Sequence, residues 1–371
     1  MKIDAIDLYL ARIPLRRPQK TAGVALDCLE TVIAGMRSGD LVGWGEASPG
    51  TAPVGGQWAG GAFACLRDWL APAVAGCQID TGTALQERLQ VFSGNQYAKA
   101  ALDSAWWDLK ARQAGKPVHE LLGGTKASLE LGISLDRTET IDELIDAMRT
   151  AFAAGFSRIE LKMRPGWDIQ MINHVRHEFG AETLHVDVEG AMTLAHMETL
   201  YRLDDFMLAM VEQPFMADDL VGHAMAQESL RTPICLDESV VSPAHVEMAL
   251  DLKSCQFINV DFGRVGGLTP AVAIHDACHE HCTPCRLGAT PRSAIGARAG
   301  LALAAKANFT YPADWIDSPQ LFAFDLADPP SLARPSDGQP LVANLWSEPG
   351  IGVAPDMARL ESCSAAKATI A

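Results

Sequence analysis

Five charged residues follow one another along the chain at an almost constant interval. Lys162, Asp187, Glu212, Asp237 and Asp261 are separated by 25, 25, 25 and 24 residues, and each closes a short apolar run. One strand, one helix and their loops take roughly that length, so each charge is expected at the carboxyl end of its own strand. This layout predicts an active site at the mouth of a barrel of parallel strands.

Three of the five are carboxylates expected to converge in a small space: Asp187 in LHVDVE, Glu212 in MLAMVEQP and Asp237 in TPICLDES. Carboxylates this close cannot all be ionised without a cation, and ligands that are only oxygen atoms favour Mg²⁺ over Zn²⁺. The alternative is that each carboxylate caps the helix that follows it. The equal spacing of all three favours the metal, and we predict a Mg²⁺ site.

Lys162 precedes the carboxylates by one strand, in RIELKM. Burial and a neighbouring positive charge lower the pKa of a lysine, so a lysine beside a metal is a candidate general base. Taken alone, Lys162 would be interpreted as an exposed side chain at a strand end. Its place beside the three carboxylates predicts a catalytic role.

The elements that position these residues alternate between strands and helices from about residue 129. The predicted strands are 131–135, 158–163, 184–188, 207–212, 233–237, 257–261 and 283–288. The predicted helices between them include 141–154, 169–179, 194–204 and 269–281. Repeated strand–helix units indicate a parallel sheet with helices outside it, and the charged ring favours a closed barrel. An open Rossmann sheet is the alternative, but no glycine-rich phosphate turn follows the first strand.

The composition is that of a globular protein and excludes several classes of function. The chain has 371 residues, a net charge of −16, 48% hydrophobic residues and 20% charged residues. The acidic balance argues against nucleic-acid binding. The start does not have the pattern of a signal peptide and no apolar run reaches membrane length, so we expect no membrane association and a cytoplasmic location. Nine scattered cysteines fit reduced thiols.

Longer motifs make the chain resemble a known family. They are GWGEA (43–47), AKAALDSAWWDLKAR (98–112), LKMRPGWD (161–168), VEQPFMADDL (211–220), TPICLDES (232–239), GRVGGL (263–268) and NFTYPAD (308–314). The chain resembles the muconate-lactonizing branch of the enolase superfamily, near the o-succinylbenzoate synthases and N-acylamino-acid racemases.

The resemblance implies a modified (β/α)7β barrel under an α+β capping domain. Its implied parts are a capping domain at 1–128, the barrel at 129–325, and a segment at 326–371 that returns to the capping domain. Loops near 16–27 and 48–61 would close over the site.

The resemblance also implies the chemistry. Asp187, Glu212 and Asp237 would bind Mg²⁺, and Lys162 would be the second lysine of a Lys-x-Lys pair. The substrate would be a small carboxylate whose α-proton is removed to give a metal-stabilised enediolate, with racemisation or β-elimination as the outcome. A homo-oligomer is the family's usual state.

The chain departs from the family at the strand ends. Glu160 takes the place of the first lysine of the pair, which would make Lys162 a poorer base and a better proton donor. Asp261 takes the place of the lysine on the opposite face and could be the second acid/base, whereas a one-base route such as syn elimination of water would need only Lys162. An Asp there resembles the mandelate-racemase branch, but the position of its partner His falls at about Gly288. Glu189 and Arg292 replace an Asn and an acidic residue.

These departures predict altered chemistry, because the scaffold motifs and the metal ligands are kept. Arg286 or Arg292 is expected to pair with Asp261 or Glu160, or to grip a substrate carboxylate through its planar fork. Glu189 and Glu238 are further candidates for substrate binding or for shaping the charge of the site.

Two other functions are compatible with parts of the sequence. One is a descendant that binds a carboxylate ligand without catalysis. The other is an iron–sulfur radical enzyme using Cys278, Cys282 and Cys285, but these fall on a helix, a loop and a strand, which would converge poorly.

Overall fold

The computed structural model describes residues 1–21, 24–163, 166, 168–288, 290–333, 336 and 338–371. Its strands are β1 Ala5–Thr21, β2 Val24–Ser38, β3 Leu41–Ala47, β4 Ser128–Leu135, β5 Arg158–Lys162, β6 Leu184–Asp187, β7 Val211–Glu212, β8 Ile234–Leu236, β9 Phe257–Val260, β10 Cys285–Leu287, β11 Ala313–Asp314, β12 Leu332–Ala333, β13 Val342–Asn344 and β14 Ser364–Ile370.

Fourteen α-helices are described between and after these strands. They are α1 Ala59–Cys65, α2 Gly82–Leu89, α3 Gln96–Ala114, α4 Val118–Leu121, α5 Ile141–Ala153, α6 Asp168–Glu178, α7 Met197–Leu203, α8 Leu220–Ser229, α9 Pro243–Asp251, α10 Phe262–Val265, α11 Leu268–Glu280, α12 Ala294–Ala304, α13 Ser318–Leu321 and α14 Met357–Cys363. A π-helical turn, Leu66–Leu70, continues α1, and the short 3₁₀ turns are Pro53–Gly55, Leu194–His196 and Asp204–Phe206.

The first part of the chain forms an antiparallel sheet that packs on helix α3. The strand order is β14-β1-β2-β3. Strand β3 carries the GWGEA motif, and a side chain at Gly43 or Gly45 would collide with the backbone of Ala105 or Ala101 in α3. The two glycines therefore allow the strand to lie directly against the helix.

The second part is a closed barrel of parallel strands. Strands β4 to β10 lie side by side in chain order, β11 pairs with β4, and Phe309 just before β11 bridges to Cys285 of β10. Seven strand–helix units and a final strand thus close the ring, as in a (β/α)7β barrel. The predicted fold class is confirmed, and closure excludes the open Rossmann sheet.

Each predicted barrel strand overlaps a strand of the structure, and its parallel pairing follows the predicted order. One prediction outside the barrel differs. The segment 16–27 was expected to be a loop, but its described residues, 16–21 and 24–27, belong to the paired strands β1 and β2, since Gln19 still pairs with Leu26; residues 22 and 23 lie outside the described part of the chain. In the segment 326–371, β13 pairs with β4 of the barrel and β14 pairs with β1 of the capping sheet. The division of the chain into three parts stays a prediction.

All nine cysteines are free thiols, as expected for reduced residues. Cys278 and Cys285 are buried, whereas Cys282 is exposed and adopts a left-handed backbone conformation with a φ of 54°. Among the described residues the three thiols do not form a group of possible metal ligands, and the iron–sulfur interpretation is not favoured. None of the described helices combines the length and the apolar character needed to cross a membrane.

Candidate active site

A pocket of about 680 Å³ opens at the carboxyl ends of the barrel strands. Eight of the predicted site residues line it: Glu160, Lys162, Asp187, Glu212, Asp237, Glu238, Asp261 and Arg286. The other two lie beside it, Glu189 at the exposed rim and Arg292 buried against Asp261. The barrel therefore brings the predicted residues together.

Strand register places the central residues side by side. Lys162 is the register partner of Asp187, and Asp187 is the partner of Glu212 on the next strand. Asp237 and Asp261 come directly after β8 and β9. Strands β5 and β9 are the second and sixth of eight, so Lys162 and Asp261 stand on opposite walls of the barrel.

Each predicted metal ligand is paired with a cation of the protein. The Nζ of Lys162 is 2.5 Å from Oδ2 of Asp187. Arg264 donates to both carboxylate oxygens of Asp237, at 2.7 and 3.2 Å. The Nη1 of Arg286 donates to Oε2 of Glu212.

The site remains crowded with negative charge despite these pairs. Burial, reinforced by the charge of Glu212, raises the pKa of Asp187 to about 7. Burial also raises the pKa of Glu212 to about 8, with Glu160 and Asp237 acting in the same direction. Burial and the charges of Asp237 and Asp187 raise the pKa of Glu238 to about 8, and its buried Oε2 has no hydrogen-bond partner. A divalent cation would relieve this repulsion, and an oxygen-only donor set fits a hard ion.

A second group of possible ligands lies deeper in the barrel. The ligand atoms of Glu160, His185 and Glu212 are all within 4.8 Å of one another. However, Arg286 reaches all three, with Nη1 2.6 Å from Nε2 of His185 and Nη2 3.0 Å from Oε2 of Glu160. The guanidinium thus supplies a positive charge where a metal ion would have to bind.

Lys162 is surrounded by acids. Besides Asp187, its Nζ lies 3.1 Å from Glu160 and 3.4 Å from Glu189. Burial opposes the charged form, but Glu160 and Asp187 outweigh it and raise the pKa of Lys162. Glu189 has a left-handed backbone with a φ of 53° and also pairs with Arg137 at the rim. These contacts keep Lys162 protonated at neutral pH, in agreement with the expectation that it is a poorer general base there than a lysine beside another lysine.

A buried charged network in the wall of the pocket explains the acid at position 160. Oε2 of Glu160 accepts from Arg286, and Oε1 accepts from Ser134 at 2.9 Å. Arg286 also donates to Asp314 at 2.6 Å, and Asp314 pairs with the buried Arg158. Of the two pairings predicted for Glu160 and Asp261, the structure shows Arg286 with Glu160.

The other predicted pairing joins Arg292 and Asp261. Nη2 of Arg292 donates to Oδ1 of Asp261 at 2.8 Å. Burial raises the pKa of Asp261, but the charges of Arg292 and Arg264 outweigh it and hold that pKa below its usual value. A side chain at Gly288 would collide with Asn259, so the position expected for a histidine partner is filled by a neighbour.

Sequence reasoning missed Arg264, Asp314 and Asn259. Arg264 binds Asp237, Asp314 closes the charged network, and Asn259 donates to Oε1 of Glu212 at 2.8 Å. Arg264 stands in GRVGGL and Asp314 in NFTYPAD, so both motifs held the signal. Asn259 lies two residues before Asp261, on the same face of the strand.

Two models of known protein families match the chain. Residues 5–123 match the model of the mandelate racemase/muconate lactonizing enzyme N-terminal domain, and residues 143–359 match the enolase C-terminal domain-like model. The chain belongs to the enolase superfamily. The resemblance to this superfamily that was inferred from the sequence motifs is confirmed. Enzymes of this superfamily are metal-dependent, and the described residues include possible ligands for an ion.

Two curated relatives span nearly the whole enolase-superfamily chain. An o-succinylbenzoate synthase of Geobacillus kaustophilus is 36% identical over 336 residues, covering 89% of this chain and 88% of that protein. An N-succinylamino acid racemase of Amycolatopsis sp is 34% identical over 372 residues, covering 100% of both chains. These relatives are a lyase and an isomerase.

Solved structures agree with the assignment. An enolase-superfamily member from Listeria innocua superposes with a TM-score of 0.93 at 30% identity, covering 100% of this chain and 99% of that one. The substrate-liganded L-Ala-D/L-Glu epimerase of Bacillus subtilis gives 0.85 at 26% identity, over 96% and 99% of the two chains. The shared architecture therefore includes both the capping domain and the barrel.

Proposed function

We propose that this chain is a Mg²⁺-dependent isomerase or lyase that moves the α-proton of a small carboxylate substrate. The observation that carries the proposal is the position of Lys162 and Asp261 on opposite barrel walls, with Asp187, Glu212 and Asp237 on the three strands between them. A substrate held in the middle would present one face to each group.

The three carboxylates would hold the ion. When bound, it supplies positive charge to the substrate carboxylate, which makes the neighbouring C–H bond more acidic. Lys162 then gives or takes a proton on one face. Asp261 gives or takes a proton on the other face of the substrate, and Arg292 keeps the Asp261 carboxylate ionised.

The test is proton exchange in D₂O with Mg²⁺ and a panel of carboxylic acids, including N-succinylamino acids. Each acid is offered as separate enantiomers, and both α-deuterium and elimination products are measured. Because Lys162 and Asp261 act on opposite faces, we expect Lys162→Ala to abolish exchange of one enantiomer and Asp261→Asn that of the other. The exposed Lys116→Ala is the matched control.

The outcome also separates the alternatives. Deuterium incorporation that gives both enantiomers means racemisation, whereas loss of a β-substituent means elimination. Exchange that Asp261→Asn leaves unchanged would show one-face chemistry with Lys162 alone. No exchange with any acid, despite Mg²⁺ binding, would favour a descendant that only binds a carboxylate. The comparisons do not favour this alternative. The homo-oligomeric state and the cytoplasmic location stay predictions from the sequence.

A further inference from the structure

Arg292 lies in the segment between β10 and α12 and contacts Asp261 from outside the pocket. Its Nη2 donates to Oδ1 of Asp261 at 2.8 Å, and its guanidinium lies over the ring of Phe262 at 4.6 Å. Its Nε donates to the backbone oxygen of Thr290 at 3.2 Å. Arg292 is 9% exposed and does not line the large pocket, whereas Asp261 does. Arg292 therefore acts on the pocket through Asp261.

The carboxylate of Asp261 is fixed from several sides. Oδ1 also accepts from the backbone N–H of Gly263 at 2.8 Å, and Oδ2 accepts from the hydroxyl of Thr290 at the longer distance of 3.3 Å. Oδ1 is thus held by two strong donors, and Oδ2 is the oxygen better placed to accept a proton. The charged and titratable groups that face Asp261 are Arg292, Arg264 and, from the capping domain, Tyr97.

The segment that carries Arg292 is held on both flanks by the capping domain. The hydroxyl of Ser48, just after β3, donates to the backbone oxygen of Pro291 at 2.6 Å. The buried carboxylate of Glu46 in β3 accepts from the backbone N–H and the hydroxyl of Ser293, at 3.0 and 2.6 Å, and from the N–H of Gly296 at 2.9 Å. Glu46 thereby caps the start of α12 with a residue from another part of the chain.

From these contacts we propose that Arg292 is a positioning residue for Asp261. Strand β3 of the capping domain, called the capping strand below, fixes Arg292 through Glu46 and through Ser48, which follows the strand. The proposal rests on the proposed function, since it takes Asp261 as the acid/base of one face. It assigns to the capping domain a part in the proton transfer besides covering the pocket. It also argues against a grip of Arg292 on the substrate.

The first test compares Arg292→Met and Arg292→Lys in the exchange assay, on the enantiomer that depends on Asp261. We expect Arg292→Met to lower kcat about a hundredfold with KM within about twofold, because a displaced acid/base group costs rate and not binding. Arg292→Lys keeps the charge and should recover part of the loss. In Arg292→Met the acid limb of the pH profile of kcat should move to higher pH. Its midpoint should lie at a proton concentration at least about tenfold lower than in the native chain.

Arg298→Met is the matched control. Arg298 lies in α12, the helix that follows Arg292, over the ring of Trp346, and its hydrogen bonds within the described part of the chain go to backbone oxygens. A rise in KM with unchanged kcat in Arg292→Met would overturn the proposal in favour of a substrate grip. Equal effects of Arg292→Met and Arg298→Met, without a shift of the pH profile, would reduce Arg292 to a structural role.

Ser48→Ala is expected to lower kcat less than Arg292→Met does and to shift the pH profile in the same direction. An unchanged kcat and pH profile would overturn the part assigned to the capping strand.

A second measurement needs no substrate and separates this proposal from the proposed function. Protein labelled with ¹³C at the aspartate carboxyl is titrated by NMR, and the signal of Asp261 is assigned by its loss in Asp261→Asn. We expect Asp261 to titrate at higher pH in Arg292→Met than in the native chain. If the native chain shows no exchange with any acid, the proposed function fails while the titration still decides the role of Arg292. Identical titrations in both proteins would overturn that role.

Discussion

At the level of single residues, the site is a ring of carboxylates that the protein's own cations partly neutralise. Lys162, Arg264 and Arg286 each hold one predicted metal ligand. Glu212 belongs both to the predicted ligand set at the pocket and to the deeper group with Glu160 and His185. Burial and the charge of Arg286 lower the pKa of His185 to about 4, so its ring is neutral near pH 7. The guanidinium of Arg286 contacts all three members of the deeper group but, of the pocket set, Glu212 alone, which makes the pocket set the better site for an ion.

Mg²⁺ is therefore expected to stabilise the folded chain through the pocket carboxylates. An ion that binds only the folded state adds about 2.7 kcal/mol when its concentration is a hundredfold above its Kd. Thermal unfolding with Mg²⁺ and with a chelator measures this gain as a rise in Tm. Asp187→Asn should remove the rise, while Asp205→Asn, whose side chain is 78% exposed on the barrel exterior, should keep it.

The same measurement distinguishes the two groups of ligands. Glu160→Gln leaves Asp187, Glu212 and Asp237 in place and should keep the Mg²⁺-dependent rise in Tm. If Glu160→Gln removed the rise and Asp187→Asn did not, the ion would bind the deeper group, and the predicted ligand set would be wrong.

How far the site could be predicted depends on where each contact comes from. Lys162 and the three carboxylates follow from spacing, because equal strand–helix units place strand ends at equal intervals. The pairing of Arg286 with Glu160 joins residues 126 positions apart, on β10 and β5, across the barrel interior. Spacing along the chain carries no information about such a contact, so the sequence left two possible partners for each arginine.

At the level of elements, the capping helix α3 also caps a barrel helix. Helix α11 begins after Gly267, which has no side chain to accept the first amides. Asp103 of α3 takes that role, accepting from the N–H of Thr269 at 2.9 Å and from the side chain of Gln86 at 2.8 Å. Asp103 is fully buried, and burial outweighs these hydrogen bonds and raises its pKa to about 6.

The raised pKa predicts a pH dependence of stability. In the unfolded chain Asp103 titrates near its ordinary value of 3.8, and in the folded chain near 6. Between these values the folded chain binds the extra proton, so the contribution of Asp103 to stability is present at low pH and is lost as pH rises through this window. The change is on the order of 3 kcal/mol. Denaturant unfolding from about pH 4 to pH 7 should show a larger loss of stability in the native chain than in Asp103→Asn, because the pocket carboxylates with raised pKa values titrate in both proteins.

The exposed Asp251→Asn, at the end of α9, is the control and should follow the native curve. Parallel curves for the native chain and Asp103→Asn would show that the buried carboxylate does not titrate in this window.

The barrel strands could be predicted from the sequence, whereas the outer half of the β1–β2 hairpin could not, and the reason is physical. A strand buried on both faces is a short apolar run between polar ends, as in β8 Ile234–Leu236. In the outer half of the hairpin, residues 16–19 are exposed and mostly polar, and this part of the chain is a strand because of its pairing with β2. Pairing between strands is a tertiary property that local composition does not reveal.

At the level of the whole molecule, the two ends of the described chain meet in one sheet. Strand β14 pairs antiparallel with β1, from Ile6 opposite Ile370 to Ala11 opposite Ser364. The side chains of Ala366, Ala368 and Ile370 pack against the core of the capping domain. The chain thus leaves the capping sheet, closes the barrel and returns to cover the outer edge of β1.

Deletion of residues 364–371 is expected to destabilise the capping sheet and to leave the pocket in place. The edge of β1 would lose its hydrogen-bond partners and part of its apolar cover, so we expect Tm to fall by on the order of 5 °C and association between molecules to increase. Hydrogen exchange should accelerate in β1, at residues 6–11, and stay slow in β5 to β9. Proton exchange activity should persist, because β3 and its contacts with Ser293 and Pro291 are untouched. Lys367→Ala, which keeps the backbone pairing, is the control, and an unchanged Tm after the deletion would show that β14 adds nothing to the sheet.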